Sequence, residues 1–384
     1  MSRFLVRSDA IGPARAAALA VPALLVMLLF EATLPAAHAP ADDTAARIAV
    51  LHVRDAQRAL AARRDAASPS PDALREVAAN DAGRTGLVGV EWSHLVTTPG
   101  SLDAKRLSCD PRWAALFVRW YRDAGVGPGS HVAIASSGSF PGLLLSARVA
   151  AETLGARPVV VASLTSSNFG ATVPWFDLFH MEEALLAGGF VAHPMALLTP
   201  GGDDDAMAGY EADARAAVLA RLHEVSARPG APATLVPADL RAATDAREAL
   251  LLGGPDARAT TSAAVLVNIG GHPANYGVGA TALALPTGLV LPGSVDVSRT
   301  GGDSLALRAL RRGVPVLNMI NVRGIAADNA PFFPADSARA WTPAHRVAAA
   351  LMALALLALG AWHRARHDNA PPHPHGETTH AQHP

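Results

Sequence analysis

The sequence predicts an α/β fold, a three-layer domain built on a mostly parallel sheet, and three observations point to it. The hydrophobic period switches from strand-like in "HVAIASS" (His131–Ser137) to helical over 142–154 and back in "PVVVAS" (Pro158–Ser163), which is a β-α-β unit. The strand candidates read as continuous apolar runs, the pattern of strands buried on both faces of a parallel sheet. Each is followed by a loop rich in Gly, Ser and Asn, which is where open parallel sheets collect their ligands. A transmembrane helix is predicted on either side of this domain.

The elements follow in chain order. Arg3, Arg7 and Arg15 precede the apolar stretch "AAALAVPALLVMLLF" (Ala16–Phe30), so residues 1–15 are expected in the cytoplasm. Residues 16–37 then suit either of two readings. One is a signal peptide, with "AHA" ending at Ala39 as the small-residue cleavage signal; the other is an uncleaved anchor, since the apolar length approaches the ~20 residues that span a bilayer. Residues 38–80 carry Ile48, Leu51, Val53 and Leu60 near helical spacing until "SPSP" breaks the run, implying a helical stalk or first helix pair.

The main domain, 81–335, is expected outside the cytoplasm. A short strand in "GLVGVEWSH" leads through a Thr and Gly loop to a helix over 112–124, which "GVGPG" stops. Beyond the β-α-β unit, strands are predicted at Ala263–Gly271, Gly288–Gly293 and Val314–Val322. Helices are predicted at 181–187, 207–227, 237–252 and 304–312. The second apolar run, "VAAALMALALLALGAW" (Val347–Trp362), is uncharged and flanked by Arg346, Trp362, Arg364 and Arg366, so 345–363 reads as a transmembrane helix. The tail, 364–384, is Pro-rich and polar with His367, His373, His375, His380 and His383, a composition that cannot bury a core and is expected to be disordered.

Composition narrows the function. A net charge of -1 with no basic patch argues against nucleic acid as a partner. The single cysteine, Cys109, excludes an internal disulfide and reads as a small buried hydrophobe. Neither the tail histidines nor Asp203, Asp204 and Asp205 have the spacing of a metal site, and the acidic triplet reads as a helix start; no metal and no cofactor are predicted.

Candidate chemistry therefore sits in four loops after strands. In the first, Ser136, Ser137, Gly138 and Ser139 precede a helix, and three readings of Ser139 stay open: an N-cap with Pro141 in the first turn, part of an anion cradle, or a catalytic nucleophile. The loop lacks the Lys of a Walker A motif. It also lacks the flanking glycines of a nucleophile elbow, because Ser137 and Pro141 stand in their places. His180, His193 and His272 are the domain histidines that could serve as a base, none with diagnostic spacing; His272 is the one on a ligand-side loop and reads as a surface polar group. The other loops contribute Ser166, Ser167 and Asn168, then Asn268, Gly270 and Gly271, then Arg323, whose guanidinium suits a carboxylate. Lys105 and Arg106 add positive charge if their loop folds over the same face.

"EWS" (Glu91–Ser93), the Thr-rich loop after it, "GSLDAKR" (Gly100–Arg106), "SGSFP" (Ser137–Pro141), "NIGG" (Asn268–Gly271) and "GVPV" (Gly313–Val316) together resemble the membrane-associated poly-gamma-glutamate system protein family, over roughly Gly86 to Ala326. The resemblance implies an accessory of poly-gamma-glutamate capsule production and export at the inner membrane. Its partners would be the synthase and export membrane proteins and the polyanionic polymer itself. It supplies no established reaction. A serine-dependent amide hydrolase or transferase acting on gamma-glutamyl bonds, with Ser139 as nucleophile and its own loop as oxyanion hole, is the alternative.

Overall fold

The β-α-β unit expected around Ser139 forms the centre of the main sheet, as a computed structural model of the chain shows. The structure describes residues 43–253, 263–279, 285–297 and 302–333. The termini and both apolar runs, 16–37 and 345–363, lie outside the described residues. Among the described residues no helix is long and apolar enough to cross a membrane.

Two helices open the described chain, α1 (Thr44–Ala66) and α2 (Pro71–Asn80), as the 38–80 reading expected. Asp43 caps α1 by accepting from the Ala46 N–H, and Ser70 caps α2 in the same way. The buried stripe of α1 is Ala46, Ala49, Val53, Ala56 and Leu60, while Ile48 and Leu51 face solvent. That mostly alanine stripe lets α1 lie closely on α4 (Trp113–Asp123) and α5 (Pro141–Thr153), so it is a layer of the domain, not a stalk standing off it. The buried ion pair between Arg64 and Asp81, 2.7 Å long, fixes the end of α1 to the turn after α2.

Next come β1 (Val96–Thr98) and α3 (Leu102–Ser108), then α4. The strand expected in "GLVGVEWSH" does not form. Leu87, Val88 and Val90 are buried there without a ladder, and the strand falls instead at β1. The β-α-β unit follows as β2 (His131–Ser137), α5 and β3 (Arg157–Ser163), and the chain turns directly into β4 (Ser166–Ser167). The remaining elements are α6 (Leu178–Ala187), β5 (Leu197–Thr199), α7 (Ala212–Ser226), β6 (Ala233–Thr234), α8 (Leu240–Leu251), β7 (Val265–Ile269), α9 (Pro273–Tyr276), β8 (Gly288–Val290), α10 (Leu305–Arg311), β9 (Val316–Met319) and α11 (Val322–Asp328). The strands β5 and β6 and the helix α3 were not anticipated, because each is too short to show a hydrophobic period.

The main sheet has seven strands in the order β6-β5-β3-β2-β7-β9-β8, parallel except where β8 runs against β9. Alternate residues of β2 enter two separate cores. Val132 and Ile134 join Val149, Leu145 and Leu116 on one face, and Ala133 and Ala135 join Leu251, Leu305 and Leu310 on the other. Burial on both faces explains the unbroken apolar runs of the strands and gives the helix-sheet-helix layering. Within the first core, Arg148 of α5 and Glu182 of α6 form a fully buried two-pronged pair, and Arg148 also donates to the His193 carbonyl at 2.6 Å.

The order of strands matters for function. From β2 the chain steps to β3, β5 and β6 on one side, and only later returns to lay β7, β9 and β8 on the other. The loops leaving β2 and β7 therefore part in opposite directions, and the crevice between them is the switch point at which open sheets of this kind bind ligands.

Candidate functional site

A cleft of about 310 Å³ opens at that switch point. Ser137, Ser139 and Phe140 line it from the loop after β2, and Gly271 and His272 from the loop after β7. Thr165 and Ser167 close it from the β3–β4 turn, and Thr97 through Ser101 with Lys105 from the β1–α3 connection. A second, two-stranded parallel sheet of β1 and β4 joins these last two segments, pairing Val96 with Ser166 and Thr98 with Ser167. Residues far apart in sequence are thereby set on one rim.

Lys105 is the unusual group. Its side chain is 2% exposed, and its Nζ donates to the Ser139 carbonyl and lies 2.6 Å from Ser167 Oγ and 4.0 Å from the centre of the Phe140 ring. Among the described residues no carboxylate pairs with it. Burial disfavours the ammonium and brings the Lys105 pKa down from 10.5 to about 7. Cys109, the residue that caps the end of the same helix, supplies no countercharge at neutral pH because burial pushes its thiol up to about 12. The expectation of a buried, unreactive cysteine agrees with this.

Ser167 is half-buried and held from several directions. Its N–H donates to Ser139 Oγ at 3.0 Å. Asn168 staples the turn by accepting from the Gly100 N–H at 2.9 Å and donating to the Glu91 carbonyl. Phe169 sits at φ +64°, a left-handed conformation that a bulky side chain adopts only under tertiary constraint; reciprocal backbone bonds to Gly89 and Val90 supply it. A Cβ on Gly100 would come within 3.0 Å of Ser167 Oγ, so glycine there leaves the hydroxyl room.

Behind the cleft lies a buried polar hub centred on Asp205. Its carboxylate takes Arg247 Nη1 at 2.6 Å, Thr199 Oγ1 at 2.7 Å, His272 Nε2 at 2.9 Å and Ser163 Oγ at 3.1 Å. Burial alone would raise its pKa, but His272 and Arg247 outweigh that and hold the carboxyl well below the usual range. The acidic triplet is therefore not a helix start. The helix begins at Ala212, Asp205 turns inward at φ +64°, and Asp204 accepts from the Ala206 and Ala208 N–H groups. His272 is likewise buried, not a surface group. With Nε2 on Asp205 and Nδ1 accepting from the Ala274 N–H at 3.2 Å, both ring nitrogens are engaged and neither serves a serine. His180 and His193 are tied to Asp177 and Glu152, outside the cleft.

Several expected roles change. Phe140, not Ser139, occupies the N-cap of α5. The Gly138 N–H donates to the carbonyls of Ser163 and Thr165, so it is not available to an anion or an oxyanion. Ser136 is fully buried and donates to the Ser137 carbonyl, and Ser166 donates to the Ser167 carbonyl. Arg106 turns away and holds the carbonyls of Ala79 and Asn80 at the end of α2. Asn268 is buried within the sheet and donates to Asn318, and Gly270 sits at φ +83°, where a Cβ would come 3.2 Å from Ser137 Oγ. Arg323 reaches Ser101 on the cleft rim and lies 3.6 Å from Asp103, but does not line the cleft itself. Of the predicted ligand residues, Lys105, Ser137, Ser139, Ser167 and Gly271 converge on the cleft. Thr97, Ser101, Thr165 and His272 join them; a Thr-rich segment was visible in the sequence, but nothing there showed that β1 would place it beside β4. Among the described residues no cluster of acidic, His or Cys side chains has the form of a metal site. No family model, curated protein or solved structure matches the chain.

Proposed function

We propose that the protein is a membrane-anchored accessory of poly-gamma-glutamate production, and that its cleft holds a gamma-glutamyl unit of the polymer. The observation that carries the reading is the make-up of the cleft: Thr97, Ser101, Ser137, Ser139 and Ser167 line it together with one buried lysine at the sheet's switch point. Such a surface suits amide and carboxylate groups. Asp203 on the rim adds a negative charge to the cleft, which favours one residue of the chain at a time over a long anionic run. The motifs that resemble the poly-gamma-glutamate system family supply the polymer's identity. In this reading 16–37 and 345–363 hold the chain in the inner membrane, the domain faces outward, and the synthase and export proteins are its neighbours.

The test is titration calorimetry of the full-length chain with poly-gamma-glutamate. Binding is expected to weaken as salt is raised, and to be tighter at pH 6 than at pH 8.5, because the Lys105 ammonium that meets a carboxylate prevails below its pKa of about 7. Lys105→Met should remove the pH dependence. Absence of binding at low salt and pH 6 overturns the reading.

A further inference from the structure

We propose that Ser167 is a catalytic nucleophile and Lys105 its general base, so that the cleft breaks or transfers an amide bond as well as holding the chain. The geometry is that of an activated hydroxyl. Ser167 Oγ lies 2.6 Å from Lys105 Nζ, the amine is buried with no carboxylate partner among the described residues, and the hydroxyl borders the open cleft. A neutral lysine has two N–H donors and one lone pair. In the structure Nζ donates to the Ser139 carbonyl, which orients the amine, and to Ser167 Oγ; in the neutral amine the lone pair takes the place of that second N–H, and the Ser167 hydroxyl donates to it. The depressed pKa of Lys105, about 7, supports this, since the base form is then well populated at neutral pH.

The surroundings keep the amine in that state. From its own helix Lys105 is faced by Cys109, which burial keeps protonated, while Asp103 is largely exposed and turned to Arg323. Asp81, behind Cys109, is bound by Arg64. Across the cleft stand Asp203 on the rim and His272, which is committed to Asp205. Ser139 changes role accordingly. Its hydroxyl accepts from the Ser167 N–H and its carbonyl accepts from Lys105, so it positions both partners and is not itself the nucleophile.

The step balances without metal or cofactor. Ser167 Oγ attacks the amide carbonyl carbon and its proton passes to Lys105 Nζ. The C–N bond then breaks and the departing amine takes that proton, leaving an ester on Ser167. Water, or the amine of another chain, attacks the ester, gives a proton to Lys105, and Ser167 Oγ leaves with it. The substrate class, gamma-glutamyl amides, rests on the function proposed above; the serine and lysine roles do not.

A fluorophosphonate probe separates the two. The full-length chain is incubated with the probe across pH 5.5 to 9, and the labelled residue is mapped by mass spectrometry. Ser167 Oγ displaces fluoride from phosphorus as its proton goes to Lys105. We expect one adduct, on Ser167, with a rate that rises through a pKa near 7. Lys105→Met should slow labelling by about 100-fold or more and flatten the pH profile, the range in which a general base acts. Arg106→Ala, outside the cleft, should leave it unchanged. An adduct on Ser139, no adduct at all, or a Ser167 adduct whose rate ignores pH between 6 and 8 overturns the serine-lysine assignment; the wild-type mapping and pH profile decide this even if a variant fails to fold. Poly-gamma-glutamate that stays intact in chain length with protein whose Ser167 labels overturns the gamma-glutamyl assignment alone. Labelling of Ser167 without polymer binding would reject the accessory reading and leave the nucleophile in place.

Discussion

Replacing Lys105 with Met tests the premise on which the cleft chemistry stands, because the two side chains are alike in length and the second has no charge to bury. The folded pKa of about 7 lies below the ordinary 10.5, so between these values the unfolded chain binds a proton that the folded chain does not. Stability contributed by this group therefore rises with pH across that window, by about 1.4 kcal/mol per pH unit for one proton. Below about pH 6 both states carry the proton and the contribution is flat, at its least favourable. With Lys105 half-protonated at pH 7, the gain from pH 7 to 9 is about 2 to 3 kcal/mol. Only 2% of the side chain is exposed, so solvent screening does not reduce the effect much. The assay is urea unfolding of the full-length chain and of Lys105→Met, followed by tryptophan fluorescence at matched pH. Wild type minus variant should rise by that amount between pH 7 and 9 and be level from pH 5 to 6. A difference constant from pH 6 to 9 would mean that Lys105 keeps an ordinary pKa, and with it the argument for a neutral base at physiological pH would fall.

The same structure makes further predictions. Asp205→Ala leaves Arg247, fully buried, without its carboxylate, and should lower stability by about 3–5 kcal/mol in urea unfolding. Because the Asp205 carboxyl is held well below the usual range, its contribution is complete above the ordinary carboxylate pKa and is lost progressively as pH falls from there to the depressed folded value, so wild-type unfolding that is already complete by pH 5 would need another origin. Gly138→Ala would put a Cβ 2.9 Å from the Leu164 carbonyl and 3.0 Å from that of Thr165, with a destabilisation of about 1–3 kcal/mol and slower labelling of Ser167 as the turn shifts.

The sequence displayed the sheet more openly than the site. Long buried strands such as β2 and β3 announce themselves, since their residues after the exposed first position pack on both faces and leave an apolar run. Helix ends were legible to a few residues where a cap was present, as at Asp239 before α8 and Ser304 before α10. Elements of two or three residues, such as β4 and β5, were not legible. They exist because neighbouring backbone offers them hydrogen bonds, and no local pattern records that.

The amino-acid sequence by itself determined the α/β class, the loops that gather at the carboxyl ends of the strands, and the buried, inert character of Cys109. All three follow from local composition and period. Tertiary structure alone decided which polar residues act together. Lys105 and Ser167 are 62 positions apart and meet through the pairing of β1 with β4, and Asp205 finds Arg247 on α8 and His272 in the loop after β7. The charge state of Lys105 belongs to this second group as well. Desolvation is a property of what surrounds a side chain, and what surrounds this one is brought there by the fold.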